Sequence, residues 1–222
     1  MKINAIITGS TGMVGEGILH ECLENPDVDT VLVINRKACG VVHPKLKEIL
    51  HHNFFDLTAI VPQLQGYNAC YFCLGVSSVG MKEEIYNHLT YDLTMYMAGV
   101  LAGENPGMTF CYISGAGTDS SEKGRVMWAR IKGKTENDLQ KLSFKAVYNF
   151  RPGYIQPMKG TKNTHRFYYA LSWLYPLWKL FFRNYVCTLG ELGRAMIFVT
   201  QHGYRKPVLE VKDVVAIMKG KY

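Results

Sequence analysis

The chain opens on KINAIITGSTGMVG, Lys2 to Gly15, and no other stretch restricts its fold as strongly. Ile3, Ala5, Ile6 and Ile7 form a short apolar run with the character of a buried strand. Thr8 and Gly9 end that run. Gly12 and Gly15 then follow at three-residue steps into a helical pattern made by Ile18, Leu19, Cys22 and Leu23. Strand, glycine turn and helix in that order are the context in which a dinucleotide fingerprint works. Gly9 is expected to allow the sharp turn, Gly12 to let the backbone approach a pyrophosphate, and Gly15 to let the helix lie close to the sheet. Free N–H groups at the helix start, with the positive end of its dipole, then receive the phosphates. The candidate phosphate-binding residues are therefore Gly9, Ser10, Thr11, Gly12, Met13, Val14 and Gly15. Glycine turns of this kind also occur without a ligand. The position at the first strand, with a second strand at the right distance, favours the nucleotide.

That second strand is Val31 to Asn35, about twenty residues past the glycines, where the residue that reads the ribose is expected. A site for NAD(H) would place Asp or Glu there to accept from the 2′-hydroxyl. This chain has Asn35-Arg36-Lys37. Two cations attract a 2′-phosphate, and an arginine can fork two hydrogen bonds onto it, so NADP(H) is expected over NAD(H). The alternative is a solvated basic turn. Only about ten residues then lead to the extended stretch Leu46–His52, too few for a crossover helix, and Pro44 points to an irregular connection. Phe54-Phe55-Asp56-Leu57 follows at a strand end that would face the adenine, which makes Asp56 and Leu57 candidate contacts. Asp56 could equally cap a short helix over Leu57–Leu64.

Further along, Ala69–Leu74 reads as a strand closed by Gly75, where Leu74 and Gly75 would pass beside the cofactor. Glu83 to Gly103 reads as a long helix with Ile85, Leu89, Leu93, Met97, Val100 and Leu101 as its core face. Thr109–Ser114 is another strand and ends in Ser114-Gly115-Ala116-Gly117. Small and polar residues at the C-terminal end of a central strand suggest a reacting group nearby. A helix over Arg125–Leu142 and a strand over Phe144–Phe150 lead to the turn Arg151-Pro152-Gly153. Gly133-Lys134-Thr135 has the look of a phosphate loop, but Trp128 stands where its first glycine would be and the run lies mid-helix, so that reading is rejected.

After Gly160 the character changes. Residues 167–182 (FYYALSWLYPLWKLFF) are dense in aromatics, too short to span a bilayer, and interrupted by Pro176 and Lys179. They suit a cover over an apolar pocket or a subunit interface, with shallow membrane contact as the alternative. An amphipathic helix over Thr188–Gln201, a short strand Val208–Glu210 and a helix Lys212–Met218 follow. The expected organisation is a dinucleotide-binding domain over 1–160 and a small helical substrate lobe over 161–222, packed on it.

At 222 residues, 48% hydrophobic and 19% charged, the chain is long enough for a substantial core. The net charge of +7 comes without a lysine/arginine block, which suggests an anionic small ligand rather than nucleic acid. The six cysteines do not resemble a disulfide framework. Cys70 and Cys73, three apart on a strand, point to opposite faces, and His51-His52 fails as a chelate for the same reason, so no metal is expected. The N-terminus runs straight into a core strand. A reduced, cytoplasmic protein is the expectation.

With these pieces placed, the sequence resembles the short-chain dehydrogenase/reductase superfamily, in its extended and atypical epimerase/dehydratase-like branch. Thr8-Gly9-x-x-Gly12-x-x-Gly15 has that branch's spacing, and Asn35-Arg36, Asp56-Leu57, Leu74-Gly75, Ser114-Gly115 and Arg151-Pro152-Gly153 fall where the family has its cofactor and active-site segments. Lys132-Gly133-Lys134-Thr135-Glu136 adds a likeness to the small Tat-interacting-protein-like oxidoreductases. The resemblance implies a doubly wound, mostly parallel α/β sheet, the Rossmann fold. It also implies a nicotinamide cofactor, with Pro152 and Gly153 among the residues that contact it, a small-molecule substrate, and a second copy of the chain as a candidate partner. In the family a serine orients the substrate carbonyl, a tyrosine four residues before a lysine moves the proton, and the lysine holds the nicotinamide ribose. Ser114 matches the serine and Lys132 the lysine, but the tyrosine position is Trp128. An indole N–H donates a hydrogen bond and does not ionise as a phenol does, so general acid–base transfer at this position is lost. Another group, such as Tyr154 or a water chain, would have to supply the proton. Two readings follow: an NADP(H)-dependent oxidoreductase acting on a carbonyl or alcohol, and a non-catalytic NADP(H)-binding sensor or interaction module.

Overall fold

The structure, a computed structural model, describes residues 1–158 and 185–221, so the aromatic stretch 167–182 lies outside the described residues. The strands are β1 (Ile3–Thr8), β2 (Val28–Asn35), β3 (Leu46–Leu50), β4 (Ala69–Phe72), β5 (Thr109–Ile113), β6 (Ala146–Arg151), β7 (Tyr154–Gln156), β8 (Val186–Thr188) and β9 (Val208–Glu210). Seven of them form one sheet in the order β3-β2-β1-β4-β5-β6-β9 with every neighbouring pair parallel, and β7 pairs with β8. The helices are α1 (Met13–Glu24), α2 (Glu83–Asn87), α3 (Leu93–Glu104), α4 (Met127–Leu139), α5 (Leu189–His202) and α6 (Val211–Met218). This is the doubly wound Rossmann architecture. Strands β1 to β3 run outward one way and β4 to β6 the other, which opens a crevice at the C-terminal ends of β1 and β4.

The central strands β1, β2, β4 and β5 are mostly apolar because both of their faces are buried, whereas the edge strand β3 is not. Ile3, Ala5, Ile7, Val31, Val33, Tyr71, Cys111 and Phe150 share one core with residues of α1, α5 and α6. Ile6, Leu32, Ile34, Cys70, Phe72, Phe110 and Tyr112 share the other with Met97, Leu101 and Leu139. Cys70 lies in the second core and Cys73 packs against the first, so the two thiols occupy opposite sides of the sheet.

Three expected elements take a different form. The long helix after Lys82 is present, but a π turn over His88–Asp92 joins α2 to α3 and adds residues to the turn. The buried stripe consequently steps through Tyr86, Thr90, Thr94, Met97, Ala98 and Leu101. Ile85, expected in the core, is 51% exposed and Leu89 is half-buried, whereas Leu93 and Val100 are half-buried and pack against the second core as expected. The helix expected over Leu57–Leu64 contracts to a single 3-10 turn, Val61–Leu64, with Pro62 in the first turn, where its missing N–H leaves no bond unmade. The helix expected from Arg125 begins at Met127, since Val126 is extended, and ends at Leu139.

The C-terminal residues described are built into the same core. Strand β9 extends the sheet beside β6, and α5 lies along α1. Thr188 starts α5 with a reciprocal cap: its hydroxyl accepts the Glu191 N–H at 3.0 Å while the Glu191 carboxylate accepts the Thr188 N–H at 2.7 Å. The two helices approach closely through small residues, with Gly190 and Gly193 against Glu21, and Gly17 against Leu189. No helix among the described residues is long and apolar enough to cross a membrane.

A Cβ at Gly17 would fall on the side chain of Leu189, which is fully buried. Gly17→Ala should therefore destabilise the protein by about 1–3 kcal/mol through overpacking. The shift should be seen as a lower denaturant midpoint at unchanged slope. Adding Leu189→Ala should cost less than the sum of the two single changes, because the shortened side chain vacates the space that the new methyl fills.

Candidate nucleotide-binding and active site

The crevice is built first by the glycine turn. Gly9 has φ of 70°, and a Cβ there would run into the Cys73 carbonyl, so the end of β4 rests directly on the turn. The Gly12 N–H donates to the Gly9 carbonyl at 3.0 Å, and Gly12 starts α1 without a side-chain cap on the first N–H groups. A Cβ on Gly15 would land on the Gly9 carbonyl. The close approach at Gly15 is thus between helix and turn rather than between helix and sheet. Ser10 is buried and its hydroxyl donates to Asn35 Oδ1 at 2.9 Å, which ties the turn to the end of β2. Thr11 and Gly12 are exposed, and Met13 and Val14 are half-buried.

Asn35, where a ribose-reading carboxylate would stand, is a buried strut. Its amide donates to Glu48 Oε1 at 2.8 Å, and that oxygen also accepts the Cys39 N–H at 2.9 Å. Arg36 and Lys37 follow as exposed cations. Arg36 lines a cavity of about 180 Å³ together with Leu74, Gly75, Phe55, Leu89 and Leu93. Three residues singled out from the sequence, Arg36, Leu74 and Gly75, are therefore brought to one place. Asp56 and Leu57 are not part of that lining. Leu57 is fully buried and its N–H goes to the Tyr96 hydroxyl at 2.9 Å, while the Asp56 carboxylate accepts the Thr58 N–H at 3.0 Å and is held below its usual range by the Thr58 hydroxyl and then by that N–H. Phe55, stacked on His88 at 4.3 Å, takes the lining position instead. Phe55, Leu89 and Leu93 were missed because sequence periodicity assigns the two leucines to the core, and the π turn that leaves both lining the cavity gives no local signal.

The second half of the site lies at the ends of β5 and β6. Ser114 is buried, and its hydroxyl reaches both Glu136 Oε1 and the Phe150 carbonyl, the latter at 3.1 Å. One hydroxyl proton with two such acceptors leaves no donor for a substrate carbonyl. This corrects the expected orienting role of Ser114. Glu136, 1% exposed, also accepts from Arg151, through Nε at 3.0 Å and through Nη2. The Lys132 ammonium donates to the Ser114 carbonyl. Burial lowers the Lys132 pKa to about 8 from its ordinary 10.5, with the Glu136 carboxylate opposing part of that drop. Each residue of the Lys132–Glu136 run has its own place. Gly133 lies against the Asp119 carbonyl, where a Cβ has no room. Lys134 pairs with Asp138 and donates to the Tyr91 hydroxyl at 2.9 Å, and the Thr135 hydroxyl donates to the Ile131 carbonyl at 2.8 Å.

Trp128 is half-buried one helical turn before Lys132, with its indole edge 3.5 Å from where a Cβ on Gly117 would sit. Its N–H has no hydrogen-bond partner among the described residues, and it stands where the proton-transferring tyrosine was expected. The Tyr154 hydroxyl, a candidate substitute, donates to Gln156 Oε1 at 3.1 Å on β7. Pro152 accepts the Ala116 N–H at 2.8 Å, and Gly153 packs on the Tyr185 carbonyl.

Among solved structures, the chain is similar to a UDP-N-acetylglucosamine 4-epimerase from Methanobrevibacter ruminantium (TM-score 0.67, 14% identity, covering 99% of this chain and 82% of that one). It is also similar to the dTDP-glucose 4,6-dehydratase DesIV from Streptomyces venezuelae with NAD bound (TM-score 0.67, 14% identity, 98% and 80%). A third is WbmG from Bordetella bronchiseptica in complex with NAD (TM-score 0.69, 12% identity, 99% and 79%). At these identities the likeness establishes the fold. No family model matches the chain. In sequence it is similar to the mitochondrial protein FMP52 of Eremothecium gossypii, 26% identical over 184 residues, 82% of this chain and 78% of that protein. A mitochondrial fmp52 of Emericella nidulans is 28% identical over 159 residues, 68% of this chain and 66% of that protein. The chain thus spans about two thirds to four fifths of the length of these relatives. Their names place them in mitochondria, which overturns the expectation of a cytoplasmic protein drawn from the opening strand.

The position of Lys132 makes a test of the site's electrostatics. Below about pH 8 it is charged in both the folded and the unfolded chain. Between about 8 and 10.5 the unfolded chain keeps a proton that the folded chain has released, so this group makes stability rise with pH across that window. The stability of the native protein minus that of Lys132→Met should therefore increase through the window in denaturant titrations. A flat difference contradicts the burial of this ammonium.

Proposed function

We propose that this protein binds NADP(H) in the crevice at the glycine turn and is an oxidoreductase of the short-chain dehydrogenase/reductase type, from its extended or atypical branch. The observation that carries the reading is the cavity shared by Arg36, Leu74 and Gly75 beside the uncapped start of α1. The fit to a dinucleotide is supported by a turn in which Gly9 and Gly15 leave no space for side chains, and by the open space on the Cβ side of Gly75. The first N–H groups of α1 receive the pyrophosphate. Arg36 forks two hydrogen bonds onto a 2′-phosphate and Lys37 adds a second positive charge. Asn35, already bonded to Ser10 and Glu48, brings no negative charge to repel that phosphate.

Bound nicotinamide supplies or accepts a hydride, and the other reactant is a carbonyl or an alcohol. Lys132 holds the nicotinamide ribose. With Trp128 in the tyrosine position and the Ser114 proton directed to Glu136 or Phe150, Lys132 is the candidate proton carrier, because burial brings its titration to about 8. A second reading, favoured by Trp128, keeps the nucleotide and drops the chemistry: an NADP(H)-binding sensor or interaction module.

Titration with NADPH should saturate, and Arg36→Glu should weaken it by about tenfold or more, since it replaces a charge-assisted hydrogen bond with a repulsion. NADH affinity should change little. Equal NADPH affinity in the variant contradicts the 2′-phosphate assignment. The two readings separate on turnover. NADPH oxidation by the native chain against a panel of aldehydes and ketones, abolished in Lys132→Met, supports the enzyme. Turnover gained only in Trp128→Tyr supports the binding module.

A further inference from the structure

A cavity of about 200 Å³ lies between the end of β5, the end of β6 and the start of α6, walled by Ala116, Gly117, Gly153, Tyr185 and Val211, with Arg151 and Glu210 as its charged residues. We propose that this cavity holds the carboxylate of a small oxo acid or hydroxy acid on the free edge of the Arg151 guanidinium. The inference rests on the oxidoreductase reading above and narrows its substrate to a carboxylate-bearing carbonyl or alcohol.

Arg151 is held along one edge of its guanidinium. Its Nε and Nη2 face Glu136, and Nη2 also reaches the Ser120 hydroxyl at 2.5 Å. That is a side-on fork, and it fixes the guanidinium plane. Nη1, with its two N–H donors, has no hydrogen-bond partner among the described residues. The side chain lines the cavity and is 14% exposed, and Nη1 is not among the fully buried atoms, so its donors remain open to a ligand. A carboxylate offers the acceptor geometry that such an edge lacks.

The charges around the cavity favour an anion. Arg151 and Glu136 cancel, and the Lys132 ammonium, held on the carbonyl of Ser114 two residues before Ala116 of the wall, adds one positive charge. Glu210 is the opposing group, but its carboxylate caps the first turn of α6 and pairs with Lys212 at 3.3 Å. Its charge is therefore balanced by the helix start and by that lysine. The remaining wall is small: Ala116, Gly117 and Gly153 carry little or no side chain, and Val211 is apolar. A volume of about 200 Å³ is below the usual range of pockets for drug-sized ligands, which suits a small acid.

The test is calorimetric titration of the NADPH-saturated protein with 2-oxobutanoate, with its methyl ester, and with inorganic phosphate. The acid should bind about tenfold or more tighter than the ester, the difference one charge-assisted contact makes. Arg151→Lys keeps a cation for Glu136 but removes the free edge, and should bring acid and ester close to parity. Glu210→Gln leaves the Arg151–Glu136 pair intact and should tighten the acid while leaving the ester unchanged. That variant carries the test if Arg151→Lys does not fold. Equal binding of acid and ester by native protein with NADPH bound overturns this inference alone. Failure of NADPH to bind overturns the cofactor reading instead. Phosphate binding as tightly as the acid overturns the carboxylate assignment.

Discussion

The carboxylate of Glu136 is the constraint on which the mouth of this sheet depends. It is 1% exposed, and taking such a charge out of water costs several kcal/mol unless its oxygens are well partnered. Its partners come from three elements: Ser114 after β5, Arg151 at the end of β6, and its own helix α4, which places Lys132 one turn earlier. Breaking a buried pair of this kind costs about 3–5 kcal/mol, because the remaining charge is left unpaired. The group therefore fixes positions more than it adds stability. Ser114 gives up its proton to the pair, Arg151 is locked with one edge outward, and Lys132 is drawn against the Ser114 carbonyl.

Much of the architecture was legible in the sequence, for a physical reason. A sheet buried on both faces needs unbroken apolar runs, and Ile3–Ile7, Val31–Asn35 and Ala69–Leu74 are such runs. The glycine turn was legible because close backbone approach demands residues without a side chain. The fold's less legible features are those set by distant partners. Nothing local distinguishes Leu89 from a core leucine, and the π turn at His88–Asp92 leaves it and Leu93 lining the cavity beside Arg36, Leu93 packing on the second core as well. Leu57 looks like a contact at a strand end, yet it is fully buried and its N–H is held by Tyr96, 39 residues away. The Glu136–Ser114 and Glu136–Arg151 bonds span 22 and 15 residues, so a helical glutamate carried no sign of its role.

The two halves of the site answer to different constraints, and this bears on Trp128. On the proposed reading, phosphate binding is set at the ends of β1, β2 and β4, by backbone and by Arg36. Any chemistry is set at the ends of β5 and β6, by Lys132, Trp128 and the Glu136 cluster. On that same reading, an indole in place of the family's phenol cannot transfer the proton, at a cost on the order of a hundred- to ten-thousand-fold in rate. It leaves the glycine turn and the Arg36 cavity untouched. A chain can therefore keep its nucleotide and lose most of its turnover by this one substitution. The same separation leaves room for an enzyme in which Lys132 carries the proton, since the surroundings that bury its ammonium also bring its titration close to neutral pH. What distinguishes such an enzyme from a binding module is thus the environment of one lysine, whose burial lowers its titration while the Glu136 carboxylate opposes part of that drop.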